Sequence, residues 1–253
     1  MATRWFDSGH ERGKVVVAVA QVGEPENQAR MSGDRALDAA KRVGTGLCFI
    51  VFPLTFVFAF AAHPGLLTPR ILTPEELILR AHQNGLLQFA HVLVTLNTAV
   101  LVVLALHFMN LLDRTSAAWA GLVGASLAIL GAVMLAADKG ALCLTMSALD
   151  TLPEDRFALM MPGLLAMFSF KGWMVVVWGF LLLPIGFAIQ TIALLTTKAL
   201  PRWQSALFLI GALLVGFPDG VEIINLTASF LMALALVPYG MRMIANKVPR
   251  AAP

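Results

Sequence analysis

Charged residues are scarce in this 253-residue chain: Asp, Glu, Lys and Arg together make up 13% of it. A soluble domain carries about twice that share, so a water-exposed globule of this length is excluded. Cysteine is scarcer still. Only Cys48 and Cys143 occur, at no spacing that suits a metal site or a dithiol motif. The chain also lacks a Walker loop, a G-x-S-x-G elbow, an H-E-x-x-H helix and paired carboxylates on one buried helix face. Those absences remove the enzyme classes that announce themselves by linear motif, and the reading leans away from catalysis. No basic stripe interleaves with aromatics, so nucleic acid is not an expected partner.

What fills the chain is apolar sequence, 58% of all residues. About 20 apolar residues in a helix cross the ~30 Å hydrocarbon core of a bilayer. Six such spans are predicted, at 44–62, 86–109, 117–137, 173–195, 203–217 and 221–244. The expected fold is therefore an all-α integral membrane bundle of six transmembrane helices with interfacial segments. A polar, basic tail (1–43) precedes it and a short tail (246–253) follows. Within the first tail, Val15–Ala20 is too short an apolar stretch for a signal peptide. A short hairpin through Gly13–Val22 and a helix from about Asp34 are expected instead.

Local signals refine the spans. Thr73 can cap a helix, Pro74 suits its first position, and Glu76 three residues on completes a capping box. The helix so started is expected to run on as a half-polar lead-in to Gln88 and then as the second span to Leu112. On the third span, Ala117, Gly121 and Ala125 form one row and Gly124, Ala128 and Ala132 an adjacent one. Spacing of four places each row on one face, a helix-packing surface. The region 157–197 is too long for one span, so Pro162–Phe170 is placed at the interface or re-entrant, with Lys171 at the water boundary. Whether 157–172 is interfacial, re-entrant or spanning stays open.

Lys and Arg outside the spans collect on the side of the two tails. By the positive-inside bias both termini are expected in the cytoplasm, in a multi-pass cell-membrane protein of the bacterial inner-membrane kind. That topology puts Cys48 and Cys143 in opposite leaflets, where they cannot bridge.

Ionisable groups at membrane depth are costly and mark candidate sites. The outer half gathers His63, His82, His91, Asp138, Lys139, Lys171, Asp219 and Glu222 from several span ends. Of these, His63, His91, Asp138, Lys139 and Glu222 are the candidate ligand-binding residues. Each has a plainer role beside the functional one. Asp219-x-x-Glu222 also reads as a capping box, Asp138–Lys139 as an ion pair closing the third span, and His63 as a solvated residue of a Pro-Gly turn. His91 lies within apolar sequence, either hydrogen-bonded to a neighbouring helix or offered to a ligand. His82 and His91 fall on opposite helix faces unless the helix breaks near Gly85. No metal site and no cofactor are expected. Haem b or a quinone at His91 is the alternative, the haem needing His63, a non-histidine ligand or a histidine of another subunit as second ligand.

The function expected from these features is a non-catalytic membrane subunit or anchor of a larger complex. Its partners would be the lipid bilayer and other protein subunits, or further copies in a homo-oligomer. A small-solute or ion transporter comes next, since Pro184, Gln190 and the short fifth span suggest broken helices. A quinone- or haem-linked redox subunit is third.

Overall fold

In the computed structural model the described residues are 24–67, 70–167, 172–215 and 221–247, with the backbone alone at 24–32, 172–175 and 177. The chain divides into two units, Met1–Ala40 and Lys41–Pro253. The described part of the first is helical throughout. The contacts below belong to the second.

Every regular element among the described residues is helical: α1 (Glu24–Ala61), α2 (Pro74–Ala81), α3 (Gly85–Leu112), α4 (Ala118–Leu149), α5 (Glu154–Met167), a 3-10 segment (Gly172–Leu181), α6 (Leu182–Thr197), α7 (Arg202–Leu214) and α8 (Glu222–Ile244). Five stretches are long and apolar enough to cross a membrane: Gly33–Ala61, Gly85–Leu112, Ala118–Leu149, Trp178–Thr197 and Glu222–Ile244. The apolar helix α7 is shorter, 13 residues or about 20 Å.

Several boundaries differ from expectation, each for a local reason. The predicted continuous helix from Pro74 to Leu112 is broken at residues 82–84, where Gln83 takes a left-handed φ of 53° and Asn84 caps α3 by accepting from the Leu87 N–H at 3.1 Å. The third span does not end at Ala137. Helix α4 continues to Leu149, because a lone Gly140 costs a helix only ~1 kcal/mol and apolar residues resume beyond it. The fourth span is not one α-helix from Trp173: the chain winds as 3-10 until Leu181 and becomes α at Leu182. Pro184 lacks the N–H that would bond the Phe180 carbonyl, which places the change of winding there. The helix expected from Asp34 starts at Glu24, and the fifth ends at Leu214 rather than Phe217. Helix α5 begins at Glu154, so the interfacial stretch expected from Pro162 is the second half of a longer helix. The hairpin at Gly13–Val22, Lys171, Asp219 and most of the C-terminal tail lie outside the described residues.

Packing follows the sequence patterns. On α1, Phe49, Phe52, Phe56 and Ala59 are buried while Leu47, Val51, Leu54 and Phe58 are exposed, an inward stripe and a lipid-type stripe on one helix. Helix α4 lies along α3 and α6, and α7 bridges α6 and α8. The α4–α6 seam is backbone against backbone. A Cβ at Gly124 would sit 2.8 Å from the Gly186 carbonyl oxygen and 2.6 Å from Gln190 Cγ. Gln190 ties the seam to α3, its Nε2 donating to the carbonyls of Ala105 (2.9 Å) and Gly121 (3.2 Å).

A second, smaller apolar cluster sits apart from this core. It joins Ile78 and Ala81 of α2, Leu87 of α3, Met146 of α4, and Phe157 and Leu164 of α5. Helices α2 and α5 thus form a roof over one end of α3 and α4. The roof's α2 starts with the capping box: Glu76 N–H donates to Thr73 Oγ1 at 3.3 Å and Thr73 N–H to Glu76 Oε2 at 2.9 Å. Arg70 grips the same carboxylate at 2.6 Å. Together, Arg70 first and the Thr73 N–H second, they hold the Glu76 carboxyl down to about 2.

Candidate functional site

Beneath the roof lies a cavity of about 80 Å³. Its polar wall brings together four of the five candidate ligand-binding residues: His63 from the turn after α1, His91 from α3, Lys139 from α4 and Glu222 from α8. The fifth, Asp138, is not part of the lining. It pairs with Lys139, Oδ2 to Nζ at 3.1 Å.

The wall is built locally. The α1 helix ends in His63-Pro64-Gly65, and His63 turns back on it, its Nδ1–H donating to the Ala59 carbonyl at 2.7 Å. That bond fixes the tautomer, so Nε2 is the nitrogen presented to Glu222 Oε1, 4.0 Å away. The His63 ring meets the His91 ring edge-on, centroids 5.5 Å apart. His91 is buried two turns into α3, and Glu222 is buried at the first position of α8. The residue at the N-cap of α8 is Val221, with no side-chain cap bond, and the Glu222 side chain faces the cavity.

Sequence reasoning passed over one wall residue, Arg80. It lies on α2 with Leu77 and Ala81 at i−3 and i+1, a spacing that puts all three on the cavity side. That amphipathic pattern was the available signal. Its Nη1 donates to the Pro64 carbonyl at 2.9 Å, so the guanidinium lies across the turn. Gly65 makes the crossing feasible: its φ is +75°, and a Cβ there would stand 2.7 Å from Arg80 Nη1.

His82 is not brought to the cavity. It clasps the roof instead, Nδ1 to Asp150 Oδ1 at 2.7 Å and Nε2 to Glu154 Oε2 at 3.3 Å, with the ring stacked on Phe157 at 3.7 Å. The other Asp150 oxygen accepts from the Gln83 N–H at 3.0 Å and from Gln88 Nε2. The α4–α5 turn is therefore pinned to the α2–α3 break.

Below the cavity the interior stays polar for about two turns. Asn97 and Thr98 of α3 and Asn225 and Ser229 of α8 are buried, about 5–11 Å along their helices from His91 and Glu222. Asn97 donates to the Phe52 carbonyl at 3.1 Å, and its buried Oδ1 has no partner. Deeper still, an aromatic layer closes the interior: Phe49 packs on Phe108, His107 and Tyr239, and His107 Nε2 bonds the Tyr239 hydroxyl at 2.9 Å.

The recess opens partly to the surface, and its innermost space of about 80 Å³ is about half that of a closed cavity that takes benzene. No group of three His, Cys, Asp or Glu among the described residues is placed to hold a metal ion. The residues that line the cavity suit reversible binding of a small polar species and a proton, with charge, hydrogen-bond donors and two imidazoles in one recess. Compared with known protein families, with curated proteins and with solved structures, the chain matches none.

Proposed function

We propose that this chain is a six-span carrier that binds a small solute in the cavity beneath α2. The observation that carries the reading is the convergence of His63, His91, Lys139, Glu222 and Arg80, drawn from five separate elements, on one recess. Buried ionisable groups at span ends are expensive unless they are used. The polar continuation through Asn97 and Asn225 supports passage beyond simple capture. In this reading α7 is the fifth of six spans, both termini lie in the cytoplasm, and the protein sits in a bacterial inner membrane with the roof outside.

The small-residue rows give the subunit or anchor reading no specific support, because Gly121, Gly124, Ala125 and Ala128 are buried within the chain. Gly124 and Ala128 meet Gly186 of α6, and Gly121 meets Leu112 of α3.

Reconstitution tests the carrier directly. Purified protein in liposomes is expected to admit small radiolabelled solutes, and Glu222→Gln is expected to slow that uptake at least about tenfold. Liposomes that stay tight to every small anion, cation and neutral solute would overturn the reading. Single cysteines at Ser8 and Ala251 are expected to label from one face and one at Ser147 from the other.

A further inference from the structure

The end of the bundle away from the roof is strongly basic. Among the described residues of the second unit, Lys41, Arg114, Lys198, Arg202, Arg242 and Lys247 are exposed there, with Asp113 as the one acidic residue. Contacts of Gly46 with Gly240, Gly121 with Leu112, and Gln204 with Arg242 gather these turns and helix ends. The roofed end has no such excess, since Glu75, Glu76, Asp150, Glu154 and Asp155 face solvent beside its cations.

One part of the basic end has the outline of a lipid. Helix α6 packs against α4 on one side and α7 on another. Its outward face exposes Ile185, Ile192 and Thr196, with Ile189 half-buried between them. Spacings of four and seven set these residues on one line along the helix. From Ile185 to Thr196 the line runs about 16 Å, the depth of one leaflet of a ~30 Å hydrocarbon core. At the head of the line, on the two neighbouring helices, stand Trp119 and Trp203, 78% and 53% exposed. Indole rings placed so settle at the level of lipid headgroups.

Lys198 and Arg202 cap the arrangement. Lys198 ends α6 in left-handed backbone, φ 58°, where glycine is the easier residue, so a cation is kept at this point at a conformational cost. Neither residue forms a salt bridge among the described residues. Arg242 is engaged inward, its Nη2 donating to Gln204 Oε1 at 2.8 Å. The outward charge beside α6 therefore falls to Lys198 and Arg202, an ammonium and a planar fork that suit phosphate oxygens. A choline headgroup brings a cation of its own and gains less there.

We infer that the head of α6 is a seat for an anionic glycerophospholipid. Its phosphate lies between Lys198 and Arg202, its glycerol is level with Trp119 and Trp203, and one acyl chain follows Ile185, Ile192 and Thr196. The seat is at the opposite end from the recess and stands independently of the carrier reading.

The experiment is a thermal-shift titration of the purified full chain in detergent. The probes are dioleoyl phosphatidylglycerol, dioleoyl phosphatidylcholine and sn-glycerol 3-phosphate, at matched ionic strength. Phosphatidylglycerol is expected to raise the midpoint saturably, and the other two to leave it unchanged. The double variant Lys198→Gln, Arg202→Gln is expected to raise the half-saturating phosphatidylglycerol concentration at least about tenfold. Lys41→Gln with Lys247→Gln, which removes the same charge from the same end, is expected to change it by less than about twofold. Lys198→Arg with Arg202→Lys is expected to keep near-normal binding. Headgroup selectivity on the unmodified chain decides the matter where a variant fails to fold. Equal protection by phosphatidylcholine overturns the anionic seat. Protection by glycerol 3-phosphate alone shows a site for free phosphate esters and overturns the lipid. Equal weakening by the two double variants shows diffuse attraction to a basic surface and overturns the position at α6. Solute uptake in liposomes bears on the carrier and leaves each of these outcomes as it stands.

Discussion

The α4–α6 seam and the roofed end of the bundle are built from the same apolar alphabet in opposite ways. In the seam, Gly124 and Gly186 bring two backbones into contact and Gln190 staples them to α3. At the roofed end, two short amphipathic helices share a small cluster of their own and are held to the bundle by His82, Asp150 and Gln88. The first arrangement has no room to relax. The second is fastened at points, and it covers a recess where ionisable groups from five elements meet. Rigidity and chemistry are thus segregated along the helix axes.

The comparison is broken most severely at the seam. Gly124→Leu is expected to destabilise the whole bundle by about 3 kcal/mol or more, read as loss of monodisperse protein in detergent and a large fall in the unfolding midpoint. Gln190→Leu comes next, at about 2 kcal/mol, since its volume is kept while two donations to backbone carbonyls vanish.

At the roof, Asp150→Ala removes the acceptor for His82, Gln83 and Gln88 together. Its expected cost is about 1–2 kcal/mol, confined to residues 74–88 and 150–167. Hydrogen exchange should quicken there while α4 and α6 keep their protection; quickening spread evenly over all helices would erase the distinction drawn here. Thr73→Ala is expected to cost about 1 kcal/mol, local to α2.

The smallest effect is one of pH. The folded Glu76 carboxyl titrates near 2, below an ordinary glutamate, because Arg70 and the Thr73 N–H stabilise its charge. A lowered folded value means its contribution is complete above the ordinary glutamate range and is lost progressively as pH falls from that range through about 2. Amide protection of α2 should therefore be lower at about pH 3.5 than at neutral pH, and Arg70→Gln, which returns the folded carboxyl toward the ordinary range, should flatten that difference.

Much of this was legible in the sequence, and unevenly so. The long apolar helices followed from run length, because the bilayer sets a length scale that composition alone can meet. The capping box at Thr73–Glu76 was legible because its three residues interact within one turn. His63, His91, Lys139 and Glu222 could be grouped because all four fall near span ends on one predicted leaflet. Which neighbours they choose is a tertiary matter. Arg80 lies within the predicted half-polar lead-in, and nothing local says that α2 folds back over Pro64 and Gly65. Likewise His82 belongs to the roof because Asp150, 68 residues away in sequence, arrives beside it. The break at residues 82–84 rests on one left-handed Gln83, a residue type that carries no turn signal.

The glycine contact between α4 and α6 carries a mechanical corollary. Two rods that touch main chain to main chain can neither slide nor roll without collision, so they form the axle of the molecule. For the carrier proposed above, any opening has to be made by elements other than this pair.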